Sequence, residues 1–311
     1  MPVFDLHCDT LTAFMAPLRC RDTLDDPCAA FSLTKAAGLS WCQCCAVFVP
    51  DGLTPREALG YYRFHQSSFR RQAALHTGRA AACTAAREIS SAWEQKKTAL
   101  VLTIENGSLL GTGLEHVEEL RWDGVRMLTL TWNGENALGS GHETDHGLTP
   151  LGKEAVPALE QAGITVDVSH LNDTGFRDVL DTAQKPFAAS HSNARAVCPH
   201  RRNLEDWQIR EMAARRCLIG LNYSNSFLRA DGKPAVFDDL YRHICHFLAL
   251  GAEDCLALGS DFDGTSLPPC LDDCRKVPAL GEYLLDRGLG RPLVEKLLWQ
   301  NALTFIQKNW L

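Results

Sequence analysis

A chain of 311 residues with 45% hydrophobic and 22% charged residues has the make-up of a packed globular protein, which excludes collagen, coiled coil and disorder. Its 31 basic and 38 acidic residues leave a net charge of −7, and the basic ones are scattered apart from short pairs such as Arg70-Arg71 and Arg201-Arg202. Without a basic stripe for a phosphate backbone, nucleic acid is not an expected partner; without a run approaching 18 apolar residues, neither is a membrane.

Short apolar runs recur at residues 3–6, 42–49, 99–104, 125–131, 164–168, 186–189, 217–221 and 255–258, and the segments between them have helical periodicity. Most runs are apolar on both faces, as in Leu100-Val101-Leu102, which suits parallel strands covered by helices. Pro stands in the first turn of two predicted helices, at Thr54-Pro55-Arg56-Glu57 and at Thr149-Pro150 before residues 154–162. An amphipathic helix over 293–310 closes the chain. Eight alternations of strand and helix predict a (β/α)8 TIM barrel, α/β in class and a single domain over residues 1–311. The segments 133–147 and 261–276 are irregular and follow strands closely, where a barrel carries its functional loops.

The 13 cysteines are read as reduced. Met1-Pro2-Val3-Phe4-Asp5 has neither a basic nor an apolar leader segment, so a cytoplasmic protein with buried thiols is expected. Cys42, Cys44, Cys45, Cys217 and Cys255 fall in predicted strands. Cys42-Gln43-Cys44-Cys45 lacks a second Cys/His pair at finger spacing, so no cysteine-based metal site is expected.

The polar residues that end the apolar runs carry the functional information. The first run leads into His7-Cys8-Asp9, the third into Glu105-Asn106-Gly107, the fifth into Ser169-His170 and the sixth into Ser190-His191; the seventh leads to Asn222-Tyr223 and the eighth to Asp261-Phe262-Asp263-Gly264. In a barrel these ends converge on one face. Imidazole and carboxylate are ligands for zinc or a similar divalent ion. The two-residue period of a strand puts His7 and Asp9 on one face and Cys8 on the other. His7, Asp9, Glu105, His170 and His191 exceed what one tetrahedral ion needs, and two ions roughly 3.5–4 Å apart, bridged by Glu105, would use all five. Asp261 is placed to take a proton from water and hand it to a leaving amine. Asp263, directly before Gly264, reads as a turn residue, and Asp167, within Val166-Asp167-Val168, as a partner holding a ligand imidazole. His65, His76, His116, His200, His243 and His246 read as surface or packing residues; His142 and His146 stay open.

With these residues in hand the chain resembles the membrane (renal) dipeptidase family of zinc peptidases, including its soluble bacterial members. The resemblance runs from Asp5-Leu6-His7-Cys8-Asp9-Thr10 through Glu105-Asn106-Gly107, Val166-Asp167-Val168-Ser169-His170 and Ser190-His191-Ser192-Asn193-Ala194 to Gly259-Ser260-Asp261-Phe262-Asp263-Gly264. It implies a barrel of the metal-dependent hydrolase (amidohydrolase-like) type. It also implies two Zn2+ ions, or other divalent cations in their place, with His7 and Asp9 on one, His170 and His191 on the other, Glu105 bridging and Asp261 shuttling the proton. The implied activity is hydrolysis of the peptide bond of dipeptides by metal-activated hydroxide, extended to L,D-dipeptides because the family tolerates a C-terminal D-residue. The resemblance adds Arg202 as the clamp on the substrate's C-terminal carboxylate, with guanidinium suited to bidentate recognition, and Tyr223 lining the same pocket. A small dipeptide is the expected partner, and a homodimer is compatible with it.

In one place the chain departs from that family. Animal members carry a His after strand 4, where Leu130-Thr131 is here followed by Trp132-Asn133-Gly134. The role of holding the carbonyl oxygen then passes to Asn133, His142, His146 or the metal. The alternative is another amidohydrolase-type hydrolase of cyclic amides, lactones or phosphoesters. Those relatives usually carry His-x-His on strand 1, against His7-Cys8-Asp9 here.

Overall fold

Parallel pairing joins every strand of the computed structural model, which describes residues 1–13 and 23–310. The strands are β1 (Val3–Cys8), β2 (Trp41–Phe48), β3 (Ala80–Ala82), β4 (Thr98–Glu105), β5 (Val125–Thr129), β6 (Thr165–Asp167), β7 (Ala188–Ala189), β8 (Leu218–Leu221) and β9 (Leu256–Leu258). Eight of them run in the order β2-β1-β9-β8-β7-β6-β5-β4, and a β2–β4 pairing closes the ring. This is the (β/α)8 barrel expected from the apolar runs. The extra strand, β3, gave no signal because its three alanines lack the branched and aromatic side chains that favour strands. It pairs with β4 from Thr98 to Leu100, along an edge that β5 joins at Leu102.

Phe4 and Leu6 of β1, Cys42 and Cys44 of β2, Val101 of β4, Met127 of β5, Ala188 of β7, Leu218 of β8 and Ala257 of β9 share one buried cluster. Residues from opposite walls meet only inside a barrel, so this cluster is its filling. Leu100, Leu102 and Ile104 alternate with it and pack in a second cluster with Val156, Leu159 and Phe176 of the surrounding helices. Apolar side chains on both faces of each strand are thus consumed, each large one contributing about 1.5–3 kcal/mol when fully buried.

The helices start where the sequence signals them. Thr54 caps Pro55–Leu75, its N–H donating to Glu57 Oε2 at 2.9 Å, and Thr149 caps Pro150–Ala162 by accepting from Gly152 N–H at 3.0 Å. The closing helix is less regular than predicted: Arg291–Glu295 and Asn301–Asn309 are joined by a wider π turn over Lys296–Gln300. Asn301 anchors that turn at the start of β9 by donating to the carbonyls of Glu253 and Leu256, both at 2.8 Å. Its last turn covers the N-terminal end of the barrel, where Phe305, Ile306 and Trp310 join the inner cluster and Trp310 Nε1 donates to Thr165 Oγ1 at 2.9 Å.

The run expected over 125–131 ends early, at Thr129, and the one over 186–189 keeps only its last two residues, Ala188–Ala189. After β7 the chain turns inward: a Cβ on Gly220 or Gly259 would collide with the Ser190 carbonyl. The backbone of Ser190 therefore fills space that β8 and β9 leave empty. Among the described residues every cysteine is a free thiol, and Cys42, Cys44, Cys45, Cys217 and Cys255 are buried. None of the described helices is long and apolar enough to cross a membrane.

Candidate metal centre

β1 reaches the C-terminal mouth of the barrel through a break in its alternation. Phe4 and Leu6 already face the interior, so a strict two-residue period would turn His7 away; a register shift against β2 between Asp5 and Cys8 resets it. Asp5 fixes that irregularity by accepting from the backbone N–H of His7 (3.1 Å) and of Ser260 (3.2 Å) and from Gln43 Nε2 (3.0 Å). Beyond it His7 Nε2 lies 3.6 Å from Asp9 Oδ2 and 3.5 Å from Glu105 Oε2, and Cys8 packs away from them in the outer cluster. Glu105 needs no such device, since it continues the inward face of β4 two steps beyond Thr103 and four beyond Val101.

His170 and His191 follow β6 and β7, and their protons are accounted for. His170 Nδ1 faces Asn133 Oδ1 at 2.8 Å, and His191 Nδ1 faces Ser190 Oγ at 2.8 Å. The Ser190 hydroxyl donates to Asp167 Oδ2 at 2.5 Å, leaving its oxygen to accept from His191. Both imidazoles therefore hold their proton on Nδ1 and turn a bare Nε2 toward Glu105 Oε1, at 2.7 Å for His170 and 3.7 Å for His191, and 2.9 Å from each other. Lone pairs at such separations repel unless a cation stands among them. His7 Nε2, Asp9 Oδ1 and Glu105 Oε2 are also buried without a hydrogen-bond partner. A buried cluster of imidazole and carboxylate atoms so poor in hydrogen-bond partners fits divalent metal. The trios His7-Glu105-His191 and His7-Asp9-Asp261 each bring their ligand atoms within 4.8 Å of one another.

The supporting groups were only partly visible in the sequence. Asp167 accepts from Ser190 Oγ, Thr129 Oγ1 (2.6 Å) and the backbone N–H groups of Ser169 (3.0 Å) and Ser190 (2.9 Å). Four donors explain how a carboxylate is tolerated in an apolar run, and Asp167 reaches the ligand imidazole through Ser190. Asn222, which gave no signal beyond its place at a strand end, donates from Nδ2 to Asp261 Oδ2 (3.1 Å) and to the His191 carbonyl (3.3 Å). Asp261 Oδ1 stands 4.0 Å from His7 Nε2. Gly264 admits this arrangement, since a Cβ there would collide with Asp9 Oδ2 and Asp261 Oδ1. Asp263 accepts from Thr10 Oγ1 at 2.5 Å and from Ala30 N–H at 2.6 Å, tying the loop after β9 to the segment after β1.

Carboxylates and imidazoles crowd together here and shift one another's titration. Burial, reinforced by Asp9, pushes the Glu105 carboxyl up to about 8 despite His7. Burial raises Asp261 to about 6, with Asp9 adding to it and His7 and Asn222 opposing. Burial opposes a charge on His7, but Asp9 and Glu105 outweigh it and hold that imidazole well above its ordinary value. Burial, then the positive charge of Arg202 and His7, keeps His170 and His191 well below theirs.

A cleft of about 580 Å3 opens over the cluster, lined among others by Asp9, Phe48, Glu105, Trp132, Asn133, His142, His170, His200, Arg202, Phe227 and Asp261. Arg202 is 5% exposed; its Nε has no hydrogen-bond partner, and Nη2 reaches the His191 carbonyl at 3.4 Å. Burial lowers this guanidinium to about 10. Trp132 forms an apolar wall, edge-on to Phe48 at 4.9 Å. Tyr223 is fully buried against Phe262, its hydroxyl without a partner, and has no surface in the cleft. The expectation that it lines the substrate pocket therefore has no support from its position. His146 is exposed, 3.8 Å from Glu135. His200, read from the sequence as a surface or packing residue, instead lines the cleft. His142 does too, and burial together with Arg202 and His200 lowers it to about 4.

Comparison with known proteins points to one family. Residues 1–309 match the family model described as membrane dipeptidase (Peptidase family M19). An uncharacterized protein in the pqqA 5′ region of Klebsiella pneumoniae is 35% identical over 260 residues, covering 79% of this chain and 96% of that protein. The crystal structure of a metallopeptidase, dipeptidase AC, superposes with a TM-score of 0.94 at 28% identity, over 100% of this chain and 99% of the other. A metallopeptidase from Rhodobacter sphaeroides, crystallised with a phosphinate mimic of the dipeptide L-Ala-D-Ala, also gives 0.94 at 27% identity, over 100% and 99% of the two chains.

Proposed function

The chain belongs to the membrane dipeptidase family, and on that premise we propose that it hydrolyses L,L- and L,D-dipeptides at a centre of two Zn2+ ions. The observation that carries this reading is the convergence of five buried imidazole and carboxylate side chains, with unpartnered atoms on His7, Asp9 and Glu105 and bare Nε2 atoms of His170 and His191 turned on Glu105, beneath a cleft where the buried guanidinium of Arg202 has no carboxylate partner among the described residues. His7 and Asp9 would hold one ion, His170 and His191 the other, and Glu105 both, its two oxygens facing the two sides. Divalent ions in such a centre supply Lewis acidity and lower the pKa of water.

The remaining roles fall to the chain's own side chains. Asp261, held by Asn222, accepts the proton of the attacking water and returns it to the amine nitrogen as the C–N bond breaks. Arg202 binds the free C-terminal carboxylate of the substrate, and its burial makes that contact strong and its absence costly. The L-Ala-D-Ala mimic bound by the Rhodobacter sphaeroides relative supports a substrate of this size with a D-residue at its C-terminal position. Asn133 positions His170.

Metal analysis of the purified protein and a panel of L-Ala-L-Ala, L-Ala-D-Ala and their C-terminal amides test the reading together. Two zinc equivalents per chain and turnover of the free acids but not the amides are expected. A single equivalent would remove the two-ion centre; equal turnover of the amides would remove the role of Arg202.

A further inference from the structure

We propose that His142 is a catalytic residue of this chain, donating a hydrogen bond from Nε2 to the oxygen of the scissile carbonyl as that oxygen takes on charge. The inference rests on the dipeptidase reading of the cleft and adds a residue to it. When water adds to a peptide carbonyl, one C–O bond forms, the π pair moves onto the carbonyl oxygen and the water proton passes to Asp261. The C–N bond then breaks, and its electron pair takes up that proton. In between, the oxygen gains from a donor fixed beside it.

Several side chains lining the cleft are engaged elsewhere. The Thr12 hydroxyl donates to the Asp9 carbonyl (3.2 Å), and the Thr265 hydroxyl donates to Ser224 Oγ (2.8 Å). His170 gives its proton to Asn133, His200 Nδ1 accepts from the Arg202 backbone N–H (3.1 Å), and Arg202 serves the carboxylate. His142 remains. Its Nδ1 is buried with no partner, so a proton there would be an unsatisfied donor. The proton belongs on Nε2, the nitrogen left to face open space.

The loop that carries it is built to bring it there. Gly141 N–H donates to the Gly134 carbonyl at 2.7 Å, and Glu143 N–H donates to the Asn133 carbonyl at 3.0 Å. The two segments are so close that a Cβ on Gly141 would collide with the backbone oxygens of Trp132 and Asn133. This folding-back sets the His142 ring 6.2 Å from that of His170 and 6.1 Å from that of His200, centroid to centroid.

The test compares the zinc-loaded wild type with His142→Ala, His142→Phe, which keeps a ring without an N–H, and His142→Gln, which restores an N–H. The measurements are kcat and KM for L-Ala-L-Ala, zinc content, and inhibition by a phosphinate dipeptide mimic and by an (E)-alkene isostere that is planar and lacks the carbonyl oxygen. Loss of kcat by about 100- to 1,000-fold in the Ala and Phe variants is expected, with KM and zinc content held. Phosphinate binding should weaken while alkene binding does not, and Gln should recover part of the loss. Unchanged kcat in the Ala and Phe variants, or loss of zinc or of alkene binding in step with activity, would overturn the assignment. A wild type that neither hydrolyses dipeptides nor binds the phosphinate would instead remove the dipeptidase reading itself, and this inference with it.

Discussion

Ser190→Ala removes one oxygen and tests whether the centre depends on the tautomer of His191. The hydroxyl both donates to Asp167 Oδ2 at 2.5 Å and accepts from His191 Nδ1 at 2.8 Å. Without it Asp167 keeps three of its four donors, whereas the His191 Nδ1–H is left buried with no acceptor in a residue 1% exposed. An orphaned buried donor costs about 1–3 kcal/mol. The imidazole escapes that cost by moving its proton to Nε2, the nitrogen that must stay bare for metal. Either way the penalty falls on the metal-binding form, and at about 1.4 kcal/mol per factor of ten it corresponds to roughly a 10- to 100-fold loss of affinity, the range seen when such supporting partners are removed elsewhere. Competition against a zinc chelator of known affinity measures it, with Ser190→Thr as the control that keeps the hydroxyl. Affinity in the Ala variant within twofold of wild type would refute the chain of reasoning from Asp167 through Ser190 to the metal.

Three further expectations follow from particular contacts. Gly264→Ala puts a Cβ into Asp9 Oδ2 and Asp261 Oδ1, so activity should fall at least about 100-fold with little change in melting temperature; retained kcat would show that the two carboxylates can move apart. Arg202→Lys keeps the charge but loses the planar fork, and kcat/KM for a dipeptide should fall about 10- to 100-fold, the loss of a charge-assisted hydrogen bond worth about 1.5–3 kcal/mol; equal values for the two enzymes would place the carboxylate elsewhere. His243 accepts from Ala194 N–H at 3.1 Å and faces the Leu228 carbonyl at 3.2 Å, and burial holds it down to about 4. The unfolded chain therefore takes up that proton first, and stability that is complete above about pH 6.5 falls by about 3 kcal/mol as pH drops to about 4. Urea unfolding of His243→Asn at pH 7 and pH 5 should show a smaller pH dependence than wild type, and an equal one would count against the assignment.

What the sequence made legible was the alternation of apolar runs and the polar residue ending each one. Glu105 is the clearest case, because a period of two carries it inward from Val101 with nothing intervening. His7 was found for a reason that is only partly right: its direction depends on the irregularity between Asp5 and Cys8, and no local residue preference announces it. Ser190 carries no legible role beside His191, since a serine at a strand end has many uses and its partner Asp167 comes from another strand. His142 could not be assigned because its place depends on how the loop after β5 folds back on itself. Tyr223, at a strand end like the candidate ligands, shows the limit of that pattern: position alone did not bring it to the cleft.

The same site explains where the backbone departs from ordinary conformations. Asn106, His170, Asp261 and Asp263 all lie at positive φ, between 61° and 76°, within a few residues of β4, β6 or β9. At His170 and Asp261 the left-handed turn brings the side chain to the cluster, and at Asn106 and Asp263 it lets the side chain tie neighbouring loops, through Val49 and Ala30. Each such residue costs about 1 kcal/mol or more, and the raised carboxyls of Glu105 and Asp261 add to the cost when no cation is present. The packed walls of the barrel offset that cost, which makes the cluster a preformed but unfavourable arrangement of like groups. Ions that bind it relieve the repulsion and stabilise the fold by mass action, by about 4 kcal/mol at a thousandfold excess over Kd. In this reading the stability of the chain and its capacity for hydrolysis depend on the same five side chains.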